Sequence, residues 1–318
     1  MTNNFITGLK SNHLFVHSSC FHAGIMNQIH TVRSIRSMIR DQLGGCYETR
    51  ELENIADMLL EEYLGLSRVS LRLDADRQVT GEVYMLVTLA LGQLKKHVPV
   101  QYVLGKAHFC GLIFRVSEQV LIPRRETEEL VGWIAEDHSL RGIPGAPPDI
   151  LDLGTGSGCI AITLKKMIPD ARVTAVDVSP EALALAGINA VQLGACVLLT
   201  QMDMLDAAHW QALGSFDVMV SNPPYVLPSD RARMRANVLD HEPATALYVS
   251  GDKPLECYEA IAAYSGQHLR PHGKIYVEIN EQMGKTVCEL FVHAGFTQAE
   301  LRQDIHGRDR IVRVSRQG

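Results

Sequence analysis

The chain has 318 residues, of which 46% are apolar and 21% charged, and its formal net charge is −6. This length allows two domains, and the composition is that of an ordinary globular protein with a sizeable core. The negative charge argues against a protein whose main task is to grip a nucleic-acid backbone. No apolar run approaches the ~18 residues of a membrane-spanning helix, and the start of the chain has no pattern of a secretion signal.

The seven cysteines are scattered along the chain and form no Cys-x-x-Cys pair, and the 13 histidines form no His-Glu-x-x-His motif. A disulfide framework or a zinc site would show a different pattern. We therefore expect no bound metal, and reduced thiols in a cytoplasmic protein.

The N-terminal third is predicted to be mostly helical. Residues 1–25 show no regular pattern, and we expect a disordered extension there. From Met26 apolar residues recur at helical spacing, and two further helical patterns run from Leu52 to Gly65 and from Val83 to Leu94. The third pattern is apolar nearly all round, which predicts a helix at the centre of a small bundle. A helical domain over 26–100 follows.

A short extended region comes next, over 101–123. Two strand-like runs, 107–110 and 112–116, are hinged at Gly111 and predict a β-hairpin. A helix over 126–137 with acidic residues in its first turn follows, and a stretch rich in glycine and proline, 139–148, is typical of a connector.

The remainder of the chain, within a domain of 124–318, alternates strands with helices, which predicts an α/β fold with a mainly parallel sheet covered by helices on both faces. The predicted strands are 150–153, 172–176, 196–200, 216–220 and 274–279. The predicted helices are 159–167, 181–192, 255–269 and 283–294.

A glycine-rich turn lies where the first of these strands meets its helix. It consists of Gly154, Thr155, Gly156, Ser157 and Gly158. Such a turn brings a ligand close to the backbone, and Asp177 at the end of the next strand can accept hydrogen bonds from both ribose hydroxyls of an adenosine. Cys159 replaces the last glycine of the dinucleotide fingerprint, which disfavours a nicotinamide dehydrogenase. The spacing resembles the loop of Rossmann-like methyltransferases that bind S-adenosylmethionine. The alternative is a tight turn without a ligand.

A second motif follows the strand 216–220 and consists of Asn222, Pro223, Pro224 and Tyr225. An amide or base amino nitrogen is a poor nucleophile because its lone pair is delocalised. The Asn222 side-chain oxygen and the Pro223 carbonyl can accept hydrogen bonds from the two N–H groups of this nitrogen and orient its lone pair towards a methyl donor. The Tyr225 ring can pack on the planar group. Amino groups of nucleic-acid bases and glutamine amides both fit this chemistry. The acidic charge of the chain favours the amide, since base flipping calls for a basic groove.

These motifs belong to a longer resemblance, from about Gln28 to the end of the chain. The chain resembles the release factor N(5)-glutamine methyltransferases in five segments: PVQYVLGKAHFCGLIFRVSEQVLIPRRETEELV (99–131), LDLGTGSGCIAI (151–162), SNPPYV (221–226), HEPATAL (241–247) and GRDRIVRV (307–314). The resemblance implies a seven-stranded Rossmann-like domain that methylates the glutamine of a Gly-Gly-Gln motif in peptide chain release factors. It also implies that the reaction takes place in the cytoplasm. We expect a monomer, and the acidic net charge predicts no direct binding to nucleic acid.

By the same resemblance, the glycine loop, Asp177 and Asn222 contact S-adenosylmethionine, and Met204 flanks its adenine. Residues 222–225 contact the glutamine, and the N-terminal helices and the hairpin hold the protein substrate. A related enzyme that methylates a large-subunit ribosomal protein stays an alternative because of AHFCGLIFRV, although HEPATAL and GRDRIVRV favour a release factor. An inactive scaffold is another alternative, which the intact Asp177 and NPPY disfavour.

Two smaller features carry open interpretations. The basic residues Arg231, Arg233 and Arg235 form either a solvated face or a contact with the substrate protein or nearby RNA. His241 and Glu242 either stabilise a turn or contact a ligand.

Overall fold

The computed structural model describes residues 29–141, 147–226, 236–249 and 253–316. The chain divides into two compact units, with the boundary between Lys96 and His97. The predicted extension 1–25 and the basic stretch 231–235 lie outside the described residues, as do residues 142–146 of the predicted connector. The predicted domain limits at 100 and 123 remain predictions.

The first unit contains helices and one small strand pair. Its helices are Val32–Leu43, Thr49–Leu64, Arg68–Leu73 and Gly81–Leu94, and strands β1 (His30–Thr31) and β2 (Gln78–Val79) pair antiparallel. The first helix begins later than the predicted Met26, because the Thr31 hydroxyl accepts a hydrogen bond from the Ser34 N–H and so fixes the first turn. Gly65 ends the second helix in a left-handed conformation, as predicted.

The predicted central position of the helix Gly81–Leu94 is wrong. One face is buried through Val87, Leu91 and Leu94, whereas Met85 and Leu89 on the other face are 50% and 65% exposed. This unit has only two other helices of more than ten residues among its described residues. Two helices can cover one side of a third helix but cannot surround it. The apolar composition of Gly81–Leu94 was therefore not enough to predict burial on all sides.

The second unit opens with a short helix, Val100–Leu104, and a hairpin. Strands β3 (Lys106–Phe109) and β4 (Leu112–Arg115) pair antiparallel across Cys110 and Gly111, which confirms the predicted hairpin. The helix Arg125–Arg141 follows and covers the predicted 126–137.

A seven-stranded sheet forms the body of this unit, in the order β10-β11-β9-β8-β5-β6-β7. Its strands are β5 (Asp149–Leu153), β6 (Arg172–Asp177), β7 (Val197–Gln201), β8 (Phe216–Ser221), β9 (Leu269–Glu278), β10 (Thr297–Gln303) and β11 (Asp309–Ser315). Strands β9, β8, β5, β6 and β7 pair in parallel with one another in that order, while β11 is antiparallel to both β9 and β10. The predicted α/β fold with a mainly parallel sheet is confirmed.

Each face of the sheet has its own core, because side chains alternate along a strand. Ile150 of β5 packs in one core with the helices Arg125–Arg141 and Cys159–Met167. Its neighbour Leu151 packs in the other core with the helices Glu256–His268 and Gly284–His293. The helix Pro180–Leu193, the 3-10 helix Ala207–Ala212 and the short helices Ala236–His241 and Ala244–Leu247 complete the described helices of this unit.

Strand order places the site. Strand β5 lies between β6 and β8. After β5 the chain continues to β6 on one side, and after β8 it continues to β9 on the other side. In open α/β sheets, ligands bind in the crevice at the carboxyl ends of such strands. Both sequence motifs begin there, because the glycine loop follows β5 and Asn222 follows β8.

Candidate functional site

The glycine loop is a tight turn held against β6. Gly154, Gly156 and Gly158 all have positive φ angles, between 55° and 80°, which glycine adopts without strain. The backbone N–H groups of Gly154 and Thr155 both donate to the Val176 carbonyl at 2.9 Å. The loop is therefore fixed before any ligand binds.

The third glycine has a packing role. A Cβ at Gly158 would lie 2.8 Å from Ile162 Cδ1 and 3.1 Å from Ala186 Cβ. The helices Cys159–Met167 and Pro180–Leu193 approach each other at this point, and only glycine leaves room for them. Gly158 itself does not line the pocket described below.

Asp177 is held at the end of β6 by backbone donors. Its Oδ2 accepts the Gly156 N–H at 2.8 Å, and its Oδ1 accepts the Ser179 N–H at 3.0 Å. Burial raises the pKa of this carboxyl, and the backbone donors oppose the shift. Each carboxylate oxygen keeps a further lone pair, so Asp177 can still accept two hydroxyl groups from a ligand.

Asp152 supports the glycine loop from beneath. This fully buried carboxylate accepts the Thr155 hydroxyl at 2.6 Å and the Ala161 N–H at 3.2 Å through Oδ2. Its Oδ1 accepts no hydrogen bond from the described residues. Burial raises the pKa of Asp152 to about 7, because the charged form is poorly solvated there.

A pocket opens over these groups at the carboxyl ends of β5, β6 and β8. Eight residues predicted for the site line it: Gly154, Thr155, Gly156, Ser157, Asp177, Met204, Asn222 and Pro224. Met204 closes one side of the loop, since its Cε lies 3.2 Å from the position of a Cβ on Gly154. Gly158, Pro223 and Tyr225 are not part of this lining.

The NPPY motif is tied to the sheet by its side chains. Ser221, just before it, donates its hydroxyl to the Leu153 carbonyl at 2.7 Å, which joins the ends of β8 and β5. The Asn222 Nδ2 donates to the Thr127 Oγ1 at 3.1 Å. Tyr225 donates its hydroxyl to the Glu278 Oε1 at 3.1 Å, and burial raises the pKa of this phenol. Asn222 therefore faces the pocket with its amide already oriented.

Similarity to known proteins agrees with this geometry. A family model described as the PrmC N-terminal domain matches residues 35–105, and one described as the methyltransferase small domain matches residues 143–252. The release factor glutamine methyltransferase of Flavobacterium psychrophilum is 38% identical over 288 residues, which cover 89% of this chain and 99% of that protein. The chain belongs to the release factor glutamine methyltransferase family.

Other members show the same extent of similarity. The enzyme of that name from Bacteroides thetaiotaomicron is 38% identical over 285 residues, covering 89% of this chain and 99% of the relative. The one from Geobacter sulfurreducens is 36% identical over 286 residues, covering 90% and 96%. The matches thus span both units of this family member.

Two residues beside the NPPY motif were missed by the sequence reasoning. Thr127, in the first turn of the helix Arg125–Arg141, is 2% exposed, and Glu278, the last residue of β9, is 1% exposed. Thr127 donates its hydroxyl to the Glu278 Oε2 at 2.6 Å. Burial raises the pKa of Glu278, against the effect of its hydroxyl donors and of Arg310. Thr127 lies within the segment 99–131 that carries the family resemblance, but no local pattern connects it to Glu278, because the two residues are 151 positions apart.

An ion pair holds a further wall of the pocket. The Arg124 Nη2 donates to both carboxylate oxygens of Glu242, at 2.7 and 2.8 Å, and the Glu242 side chain is almost fully buried. Arg124 lines the pocket, as do Thr245 and Ala246, which follow Glu242 closely in the sequence. Of the two interpretations of Glu242, the structure therefore supports the stabilising one, in which Glu242 holds Arg124. The His241 Nδ1 lies 3.8 Å from a Glu118 oxygen.

Two negative findings apply to the described ranges 29–141, 147–226, 236–249 and 253–316. None of the helices there is both long and apolar enough to cross a membrane. Nor do three or more His, Cys, Asp or Glu side chains converge there as metal ligands would.

Proposed function

We propose that this chain transfers a methyl group from S-adenosylmethionine to the side-chain amide nitrogen of a glutamine, N(5), in the Gly-Gly-Gln motif of peptide chain release factors. The observation that carries the proposal is the orientation of Asn222. Its amide nitrogen donates to Thr127, so its oxygen is left to accept a hydrogen bond from a substrate in a pocket shared with the glycine loop and Asp177. Family membership supports the same substrate.

The pocket fits the proposed cofactor. Asp177 retains lone pairs for the two ribose hydroxyls, and the positive φ angles of Gly154 and Gly156 allow a close approach to the backbone. Met204 offers a polarizable apolar surface to the adenine. Thr155 and Ser157 complete the loop. When bound, S-adenosylmethionine supplies an electrophilic methyl group on a sulfonium and leaves as S-adenosylhomocysteine.

The protein's own contribution is orientation. The Asn222 Oδ1 and the Pro223 carbonyl would accept the two N–H groups of the glutamine amide and hold its nitrogen in line with the methyl group. The same acceptors stabilise the positive charge that develops on nitrogen as the new N–C bond forms, before one N–H proton is released to solvent. Pro224 and the Tyr225 ring would line the glutamine side chain.

The remaining assignments follow from this substrate. We assign substrate holding to the helical region 26–100 and the hairpin region 101–123, and catalysis to 124–318. Because release factors act in translation, we assign the reaction to the cytoplasm. We also propose that the enzyme acts as a monomer and, given its net charge of −6, that it does not bind nucleic acid itself.

Methyl transfer from labelled S-adenosylmethionine tests the proposal directly. Purified release factor and, separately, a large-subunit ribosomal protein are incubated with the enzyme, and the modified residue is located by mass spectrometry. We expect the label on the Gly-Gly-Gln glutamine. A label on the ribosomal protein alone would keep the chemistry and refute the substrate, whereas a label on neither would refute both. Calorimetry with S-adenosylmethionine and with NAD separates the methyltransferase from a dehydrogenase.

A further inference from the structure

Beneath Asn222 runs a short chain of hydrogen bonds. The Asn222 Nδ2 donates to the Thr127 Oγ1 at 3.1 Å, and Thr127 donates to the Glu278 Oε2 at 2.6 Å. The other oxygen, Oε1, accepts the Tyr225 hydroxyl at 3.1 Å. One buried carboxylate is therefore linked to both polar ends of the NPPY motif.

The direction of these hydrogen bonds is set by Glu278, the last acceptor in the series. An ionised carboxylate only accepts hydrogen bonds, and a hydroxyl has a single proton. While Glu278 is ionised, Thr127 gives that proton to Glu278 and can only accept from Asn222. The Asn222 amide then turns its nitrogen to Thr127 and its oxygen away from it. A neutral glutamine at 278 would offer both a donor and an acceptor, and it would not impose this direction.

A buried carboxylate such as Glu278 costs more free energy than a neutral acceptor would for the same two hydroxyl groups. Its side chain is buried, and within the described part of the chain no lysine or arginine lies within ion-pair distance of it. The more distant Arg310 and the two hydroxyl donors favour the charged form. A buried carboxylate without a close cation usually lowers stability, and such groups concentrate at functional sites.

We propose that Glu278 and Thr127 are positioning residues, which fix the Asn222 amide with its oxygen towards the glutamine nitrogen. The inference rests on the proposed function, because it explains how Asn222 is kept ready to accept an N–H group. Tyr225 shares the carboxylate, so the amide and the aromatic ring are set by one group.

The test removes one hydroxyl. In Thr127→Val the side chain keeps its shape but can neither accept from Asn222 nor donate to Glu278. We expect kcat for release factor methylation to fall by between about tenfold and 10²-fold, the usual scale of a small misorientation, with KM and the affinity for S-adenosylmethionine nearly unchanged. Thr127→Ser, which restores the hydroxyl, should recover most of kcat.

Thr163→Val is the matched control. Thr163 is 1% exposed, its hydroxyl has no partner among the described residues, and it does not line the pocket. Its loss should leave kcat unchanged. Wild-type kcat in Thr127→Val, or a loss confined to cofactor affinity, would overturn the proposal.

Crystal structures give a readout that does not depend on the substrate. We expect the Asn222 side chain to rotate away from its wild-type position in Thr127→Val and to stay in place in Thr127→Ser. An unchanged Asn222 in Thr127→Val would refute the positioning role even if methylation were never detected. Absence of labelling by the wild-type enzyme would instead refute the proposed function.

Discussion

The helix Arg125–Arg141 and the strand β9 are joined by a carboxylate at each end, and the two carboxylates have opposite surroundings. Near the helix C-terminus, Asp137 accepts hydrogen bonds from Lys274, from the Tyr276 hydroxyl at 2.5 Å and from Arg313 at 2.6 Å. Against the effect of burial, these donors lower the pKa of Asp137 to about 2. At the other end, the donors to Glu278 among the described residues are the Thr127 and Tyr225 hydroxyls, and burial raises the pKa of Glu278.

The difference separates structural from functional polar groups. Two cations compensate Asp137, so its charge helps to dock the helix on the sheet. The charge of Glu278 lacks such compensation, and what it provides instead is a defined direction for the hydrogen bonds at Thr127 and Tyr225. Loss of the first carboxylate should affect stability, and loss of groups around the second should affect turnover.

Removal of the Asn222 side chain should have the largest effect. In Asn222→Ala the pocket loses the acceptor that faces the glutamine, and we expect kcat to fall by roughly 10³-fold, as when one preorganised polar group is removed from a transition state. Steady-state methylation of release factor measures kcat, and urea unfolding checks that stability changes little.

Asn280→Ala is its control. The Asn280 Oδ1 accepts a turn N–H, that of Gln282, at 3.0 Å, and Asn280 lies outside the pocket lining. Its turnover should match the wild type. Near-normal turnover in Asn222→Ala would contradict the proposed chemistry.

Removal of the Asp137 carboxylate should give the reverse result. Asp137→Ala leaves Lys274 and Arg313, which are 11% and 13% exposed, without their shared partner. We expect the free energy of unfolding to fall by about 3 kcal/mol, as for a broken buried ion pair. With cofactor and substrate saturating, kcat should stay within about twofold, since Asp137 does not line the pocket and a twofold change in kcat corresponds to less than about 0.5 kcal/mol.

Asp76→Ala is a matched control for this variant. Asp76 pairs with Arg33, but both side chains are mostly exposed, so its loss should change the free energy of unfolding far less than loss of Asp137 does. Equal destabilisation by the two variants would remove the distinction between a compensated buried charge and a surface pair.

The sequence predicted the sheet and the glycine loop well, because both depend on contiguous signals. The predicted helix 159–167 matches Cys159–Met167, and β5 to β9 lie where apolar runs placed them. Strands β10 and β11 were not predicted, and the predicted strand 274–279 covers only the second half of β9. Thr297–Gln303 is mostly exposed, and an edge strand of this kind has no apolar periodicity.

The site was only half predictable for a related reason. Asn222 and Asp177 stand next to strand ends and within short motifs, so their position followed from local patterns. Thr127 was predicted only as part of a helix, and Glu278 as part of a strand that continued to Ile279. Their contact joins residues 151 positions apart, and no local pattern contains such a contact.

Asp152 extends the comparison of Asp137 with Glu278 to a third buried carboxylate, whose hydrogen bonds support the glycine loop. Its pKa is raised from 3.8 to about 7 in the folded protein. Between these values the folded state binds a proton that the unfolded state does not, so stability should decrease as pH rises. The expected slope is roughly 1.4 kcal/mol per pH unit within this window, and it should vanish above pH of about 7.

Asp152→Asn isolates this contribution. The asparagine oxygen can still accept from Thr155 and Ala161, but the side chain does not titrate. Urea unfolding of both proteins without cofactor between pH 5 and 8 gives the difference in free energy of unfolding at each pH, which removes the titration of all other groups. The wild type should lose stability relative to the variant as pH rises to about 7. A difference that is independent of pH would mean that Asp152 stays ionised throughout, and that backbone and hydroxyl donors outweigh burial at the glycine loop as cations do at Asp137.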